Sequence, residues 1–266
     1  MKRVQESGES DNRRLAEPPN LRGDTPIWSA RRHDRFIHRS SNGRSRPRRL
    51  GDGSSWQRVI PILLDQGIAV VAVQNPTSSL ADDVAATRVA LDAIQGAVVL
   101  VGHSWGGAVI TQAGNDSKVK ALVYVAAFAP AVGESVGDLV GKFPSPPALS
   151  KITDDGAGNL KLSLDAWIGD VGHDLPEADA RLLHVLQPPL PTSTFGETVS
   201  QAAWEDRPSW YIVSSEDRAV SVELERAAAL RMGANTVELA AGHMSLLSQP
   251  AAVAAVIIEA VKHIGG

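Results

Sequence analysis

An α/β domain on a mostly parallel sheet, with helices on both faces and an inserted lid, is the fold class this sequence predicts. Three observations predict it. Continuous apolar runs such as Ile68-Ala69-Val70-Val71-Ala72-Val73 and Ala97-Val98-Val99-Leu100-Val101 suit strands covered on both faces. Each run is followed by a segment of helical spacing after a short link, the mark of βαβ units and right-handed crossovers. The length of 266 residues fits one large domain, or a domain plus an insertion.

The elements follow in order from residue 51. Ser54-Ser55-Trp56 precedes an apolar stretch ending at Gly67, which reads as a capped helix with Pro61 in its first turn. The run 68–73 is the first strand after it. Ser79-Leu80-Ala81-Asp82 resembles a capping box for a helix reaching about Ile94 and stopping at Gly96. Residues 97–101 form the next strand, Trp105 to Ala113 a helix, and Val119 to Val125 a third strand. The rhythm then breaks. From Pro130 the chain is rich in Pro, Gly and Asp, so about 131–208 reads as a cap, being too long for a simple loop. Alternation resumes with Trp210 to Val213 as strand, Val222 to Met232 as helix, Thr236 to Leu239 as strand and Ala251 to His263 as a closing helix.

Composition narrows the chemistry. The chain has no cysteine, which excludes a disulfide scaffold, a thiolate metal site and a cysteine nucleophile. A net charge of −4 gives no reason to expect nucleic acid as a partner. No run approaches the ~20 apolar residues of a membrane span, and the N-terminus lacks an apolar signal core, so a cytoplasmic location is expected. The charge is unevenly spread. Residues 1–50 hold 12 Arg and 1 Lys against 6 acids, with only 11 apolar residues. Such a segment has little to bury, and 1–50 is expected to be a disordered or loosely attached, non-family stretch ahead of the domain of 51–266.

The informative motif is Gly102-His103-Ser104-Trp105-Gly106-Gly107, directly after a buried strand and directly before a helix. It fits G-x-S-x-G. A sharp strand-to-helix turn would raise the Ser104 side chain above the sheet, with small residues on both sides permitting close approach. The following helix aims its free N–H groups and positive dipole end at the same point. That arrangement suits a nucleophile whose attack creates an oxyanion, with the Trp105 N–H as one donor. A dinucleotide-binding G-x-G-x-x-G loop fits less well, because Ser104 stands where it needs glycine.

A serine hydroxyl needs a base. Of seven histidines, His243 in Ala240-Ala241-Gly242-His243-Met244 lies in the loop after the last strand. The acid that would orient it should follow the preceding strand, in Ser214-Ser215-Glu216-Asp217-Arg218. Asp217 is the first choice and Glu216 the second. Ser, acid, His is the chain order of one class of Ser-His-Asp hydrolase.

With these segments in hand, residues 51–266 resemble the α/β-hydrolase superfamily, in its capped small-ester branch of plant methyl esterases, hydroxynitrile lyases and bacterial relatives. The resemblance rests on Asp52-Gly53-Ser54-Ser55-Trp56, Gly102 to Gly107, Ala126-Ala127-Phe128-Ala129-Pro130, Glu216-Asp217-Arg218 and Gly242-His243-Met244. It implies a small-molecule ester as substrate, acyl-enzyme chemistry and no metal or organic cofactor. Phe128 and Met244 become substrate-pocket candidates. Lyases of this branch carry Lys directly after the histidine, where Met244 stands here. An apolar side chain supplies no charge for cyanide, so hydrolysis is favoured over cyanohydrin cleavage. The other alternative is a non-catalytic homologue that binds a small acid or ester. No motif bears on oligomeric state.

One stretch departs from the family. Ahead of the Asp-Gly-Ser-Ser-Trp segment the family has a buried strand and oxyanion loop like Thr-Val-Val-Leu-Val-His-Gly-Ala-Phe. This chain has Asn42-Gly43-Arg44-Ser45-Arg46-Pro47-Arg48-Arg49-Leu50. Four arginines and a proline do not suit a central buried strand. The nine residues can be encoded AAC GGT CGT TCT CGT CCA CGG CGC CTT. One base further along, the same bases read Thr-Val-Val-Leu-Val-His-Gly-Ala and the start of Phe. The expectation is therefore a shifted reading frame up to Leu50, N-terminal strands missing or non-native, and a second oxyanion donor, nearest Arg49, altered with them. Turnover should then be impaired, since one lost donor costs roughly 10²–10³.

Overall fold

A computed structural model describes the backbone of Ile27–Ala30 and residues 53 to 265. In chain order the sheet and helix elements are β1 (Ile27–Ala30), α1 (Ile60–Asp65), β2 (Val70–Val73), α2 (Leu80–Asp92), β3 (Val98–His103), α3 (Gly106–Ala113) and β4 (Val119–Val125). The middle of the chain contributes α4 (Val136–Val140), β5 (Ile152–Asp154), β6 (Asn159–Leu162), α5 (Leu164–Ala166), α6 (Glu177–Leu186) and β7 (Leu190–Pro191). The last third gives β8 (Ser209–Ser214), α7 (Val222–Met232), β9 (Asn235–Leu239), α8 (Ser245–Ser248) and α9 (Pro250–Ile264).

Six strands form one sheet in the order β2-β1-β3-β4-β8-β9, and every pairing in it is parallel. Side chains alternate faces with period two, and the sheet accordingly has two cores. On one face Leu100, Leu122, Tyr124, Tyr211 and Val213 pack with residues of α2, α3 and α7. On the other, Val99, Val101, Val123, Val125 and Ile212 pack with residues of α1, α8 and α9. β3, β4 and β8 are buried nearly throughout, which is why they read as continuous apolar runs.

The edges differ from expectation for a physical reason. Residues 68–73 were expected to be covered on both faces, yet the strand begins only at Val70 and Val71 is 39% exposed. β2 ends the described sheet, and an edge strand has one neighbour fewer to cover it. The helix expected to follow Trp56 is split into a 3-10 turn at Gly53–Trp56 and α1, with Pro61 in the first turn of α1. Proline has no N–H to donate, so it is tolerated there and not further in.

The basic N-terminal segment supplies one strand. β1 sits between β2 and β3 and pairs with both, Ile27 beside Val70 and Val99. Ile27-Trp28-Ser29-Ala30 is an uncharged run in an Arg-rich stretch. The slot leaves backbone donors and acceptors on two neighbours, and any short extended run that fills it satisfies them. Residues 42–50, where the family strand is replaced, lie outside the described residues, as does Arg49.

The inserted segment holds a small antiparallel sheet, β5-β6-β7, with α4, α5 and α6 around it. α5 runs directly into a π-helical stretch, Trp167–Val171. Ser135 closes α4 with a full capping box, its side chain accepting from the Asp138 N–H while the Asp138 carboxylate accepts from the Ser135 N–H. No helix among the described residues is long and apolar enough to cross a membrane.

Candidate active site

The turn between β3 and α3 is built by steric necessity. Ser104 sits at φ 54°, in the left-handed region, a conformation that costs a non-glycine residue roughly 1–3 kcal/mol. What holds it is close packing on either side. A Cβ on Gly102 would lie 2.5 Å from the Gly106 carbonyl oxygen, and one on Gly107 would lie 2.3 Å from the Phe128 carbonyl oxygen. Only glycine fits either place. The Ser104 N–H donates to the Val125 carbonyl at 3.2 Å, and the Ser104 carbonyl accepts from the Gly107 and Phe128 N–H groups at 3.0 and 3.1 Å. The serine backbone is thus pinned by β4 and α3, leaving its side chain half-buried at the C-terminal end of the sheet. Trp105 occupies the cap position of α3, where its backbone N–H has no acceptor within its own helix.

Asp217 follows β8 and His243 follows β9. The His243 Nδ1 and an Asp217 carboxylate oxygen are 2.6 Å apart, and both residues are buried. The other Asp217 oxygen accepts from the Ala219 and Val220 N–H groups at 2.6 and 2.8 Å. Burial by itself pushes the Asp217 carboxyl up. The charge and hydrogen bond of His243, with the Val220 and Ala219 N–H groups, more than offset that and hold it below the ordinary carboxylate range. Glu216, the second choice from sequence, is exposed. Arg218 donates to the Gly169 carbonyl.

The histidine loop is held from two directions. His103 Nε2 lies 2.9 Å from the His243 carbonyl oxygen, with the two rings 4.6 Å apart. From the cap, the Asp174 carboxylate accepts the Gly242 N–H at 2.8 Å, and a Cβ on Gly242 would strike His173 and Asp174.

Ser104 and His243 line the same cavity, of about 220 Å³, together with Trp105, Phe128 and Met244. The structure brings Ser104, Trp105, Phe128, His243 and Met244 to one cavity, with Asp217 bonded to His243 and Glu216 left outside, and it adds residues that were not singled out. Ser55 and Thr77 also line the cavity. Asp83 is completely buried and takes two hydrogen bonds, from the Trp105 indole N–H at 2.8 Å and from the Thr77 N–H at 2.7 Å. It ties the residue after the serine to a loop at Thr77, itself at φ 56°. In sequence Asp83 is one of an adjacent acid pair, and nothing there separates it from Asp82, whose carboxylate bonds the exposed Ser78 hydroxyl. Among the described residues no group of three or more His, Cys, Asp or Glu could hold a metal ion.

A strained serine between strand and helix, with acid and histidine on successive strand ends of a parallel sheet, is the geometry of one family, and the sequence matches it. The model of the "Alpha/beta hydrolase family" matches residues 21–256. The chain belongs to the alpha/beta hydrolase family. A protein of Phoma sp. named a probable hydrolase is 29% identical over 198 residues, covering 69% of this chain and 79% of that one. Among solved structures, polyneuridine aldehyde esterase superposes with a TM-score of 0.70 at 19% identity, covering 90% of this chain and 99% of that chain. A pyrethroid hydrolase of Sphingobium faniae gives 0.69 at 20% identity, covering 89% and 96%. The match begins at residue 21, inside the basic segment.

Proposed function

We propose that this hydrolase cleaves small carboxylic esters through a Ser104–His243–Asp217 relay. The observation that carries the proposal is the buried 2.6 Å contact between His243 and Asp217, with the same histidine facing one cavity with Ser104. His243 Nε2 takes the Ser104 hydroxyl proton as the oxygen attacks the ester carbonyl. Asp217 fixes the imidazole tautomer and supports the imidazolium. The Trp105 N–H, in its cap position, faces the developing oxyanion. His243 then gives its proton to the leaving alcohol, and activates a water that releases the acid from Ser104.

The cavity supports an ester with apolar groups. Beyond the polar end at Ser104 and His243 its walls include Phe128, Leu149, Trp167, Leu183, Phe195 and Met244. Such a wall binds acyl or alcohol carbon, with Lys161 the one lysine or arginine in the lining. Met244 is buried in that wall. It cannot supply the cation a cyanohydrin lyase would place there. The named neighbours, an esterase and a pyrethroid hydrolase, accord with ester chemistry.

The test is hydrolysis of short p-nitrophenyl esters by the chain and by Ser104→Ala. Turnover should fall by at least about 10⁴-fold in the variant. A fluorophosphonate probe should label the unmodified chain and not the variant. Unchanged turnover in Ser104→Ala would sink the assignment. Binding of an ester with no labelling would turn the reading toward a non-catalytic binding protein.

A further inference from the structure

Behind Asp217 stands a second carboxyl group that the relay does not use. Glu225, on α7, is completely buried. One of its oxygens accepts the Ser214 N–H at 2.9 Å. Ser214 ends β8, and its carbonyl accepts the Asp217 N–H at 3.0 Å. Glu225 thus grips the strand end from which the Asp217 loop springs. Its other oxygen is buried, and no N–H or hydroxyl of the described residues reaches it. The neighbouring charge that acts on Glu225 most strongly is that of Asp217.

Two ionised carboxylates have only acceptors to offer each other, so a hydrogen bond between them requires a proton on one. The surroundings decide which. Asp217 receives two backbone N–H groups and His243. Glu225 receives one N–H and is otherwise enclosed. Burial first, then the negative charge of Asp217, drive the Glu225 carboxyl well above its ordinary range. The remaining ionisable neighbours do not reverse this. Tyr211 on β8 is a phenol kept neutral by burial. Arg226, next on α7, is engaged with Glu238 by two hydrogen bonds at the surface. His243 is bonded to Asp217 itself.

We propose that Glu225 is a positioning residue: as a neutral carboxylic acid it donates a hydrogen bond to Asp217 and keeps that carboxylate aimed at His243. The proposal deepens the relay reading and rests on it. The proton stays on Glu225 throughout; its role is to give Asp217 a donor where solvent does not reach.

Infrared spectroscopy tests this without turnover. At neutral pH the full chain should show the C=O stretch of a protonated carboxylic acid, and Glu225→Gln should lack it. Absence of that band in the unmodified chain overturns the proposal even if Ser104→Ala has upheld the relay. Kinetics give the second arm. Glu225→Leu should lower kcat about tenfold with little change in KM. It should also move the acid limb of kcat/KM to higher pH, because a carboxylate stripped of its donor holds an imidazolium more tightly. Glu225→Gln should restore both, its amide N–H replacing the acid proton. A Leu variant with normal kcat and limb, or a Gln variant that fails to restore them, overturns the proposal. Should the Leu variant not fold, thermal unfolding against pH decides. A folded pKa raised above the unfolded value of about 4.3 means stability is lost as pH rises through the folded value. The advantage of Glu225→Gln over the unmodified chain should therefore grow with pH, and a constant difference overturns the idea.

Discussion

The serine side and the histidine side of this site are built by different physics. Ser104 is held by shape: a left-handed backbone, two glycines where no Cβ fits, and a β4 carbonyl and the Gly107 N–H of α3 closing around it. His243 is held by charge and hydrogen bonds: Asp217 behind it, His103 beneath its carbonyl, Asp174 on the residue before it. Steric parts tolerate changes of pH and fail on adding one carbon. Electrostatic parts tolerate small changes of volume and fail on losing a proton or a charge. Under the proposed relay, the attacking oxygen sits on the first kind and the proton-cycling imidazole on the second.

That contrast can be broken or sharpened by experiment. The largest effect should come from Asp217→Asn, which keeps the shape but fixes the wrong tautomer at His243. Turnover on p-nitrophenyl acetate should fall about 10⁴-fold with the fold intact by circular dichroism. A loss of tenfold or less would mean that charge is not what holds the histidine side. Next is a chain in which residues 42–50 are replaced by Thr-Val-Val-Leu-Val-His-Gly-Ala-Phe. If the replaced loop withholds an oxyanion donor, kcat should rise by roughly 10²–10³. Sequencing the gene for the alternative frame is the companion check.

The smallest effects are on stability, and here the two sides separate by pH. Gly107→Ala forces a Cβ against the Phe128 carbonyl, which cannot give way as a flexible side chain could. It should cost about 1–3 kcal/mol in denaturant melts, equally at pH 7 and at the most acidic pH the fold survives, below about 3.9. Asp217→Ala should cost on the order of 1–3 kcal/mol at pH 7. Its folded pKa is depressed, so its contribution is full above the unfolded value of about 3.9 and is lost as pH falls through the folded value. The deficit of Asp217→Ala should therefore shrink in acid while that of Gly107→Ala does not. Parallel curves would erase the distinction.

The same contrast explains what could be read from sequence. The serine side lies within six contiguous residues, Gly102 to Gly107, and strict small-residue requirements leave a printed motif. The strands β3, β4 and β8 and the helix α7 were legible because burial on both faces, or a Ser cap and a Gly stop, marks them locally. His243 and Asp217 were legible through their place after successive strands. Asp83 and Glu225 were not. Each sits on a helix beside other acids, and only packing distinguishes a buried carboxyl from a solvated one. The cap stayed unreadable because its elements run from two to ten residues, too short for periodicity to show. β1 was missed because four residues in an Arg-rich stretch carry almost no pattern.

One bond reaches from the cap to the histidine loop, where Asp174 accepts the Gly242 N–H. Any displacement of Asp174 has to break that bond, so the shape of the inserted segment and the setting of His243 are tied to each other.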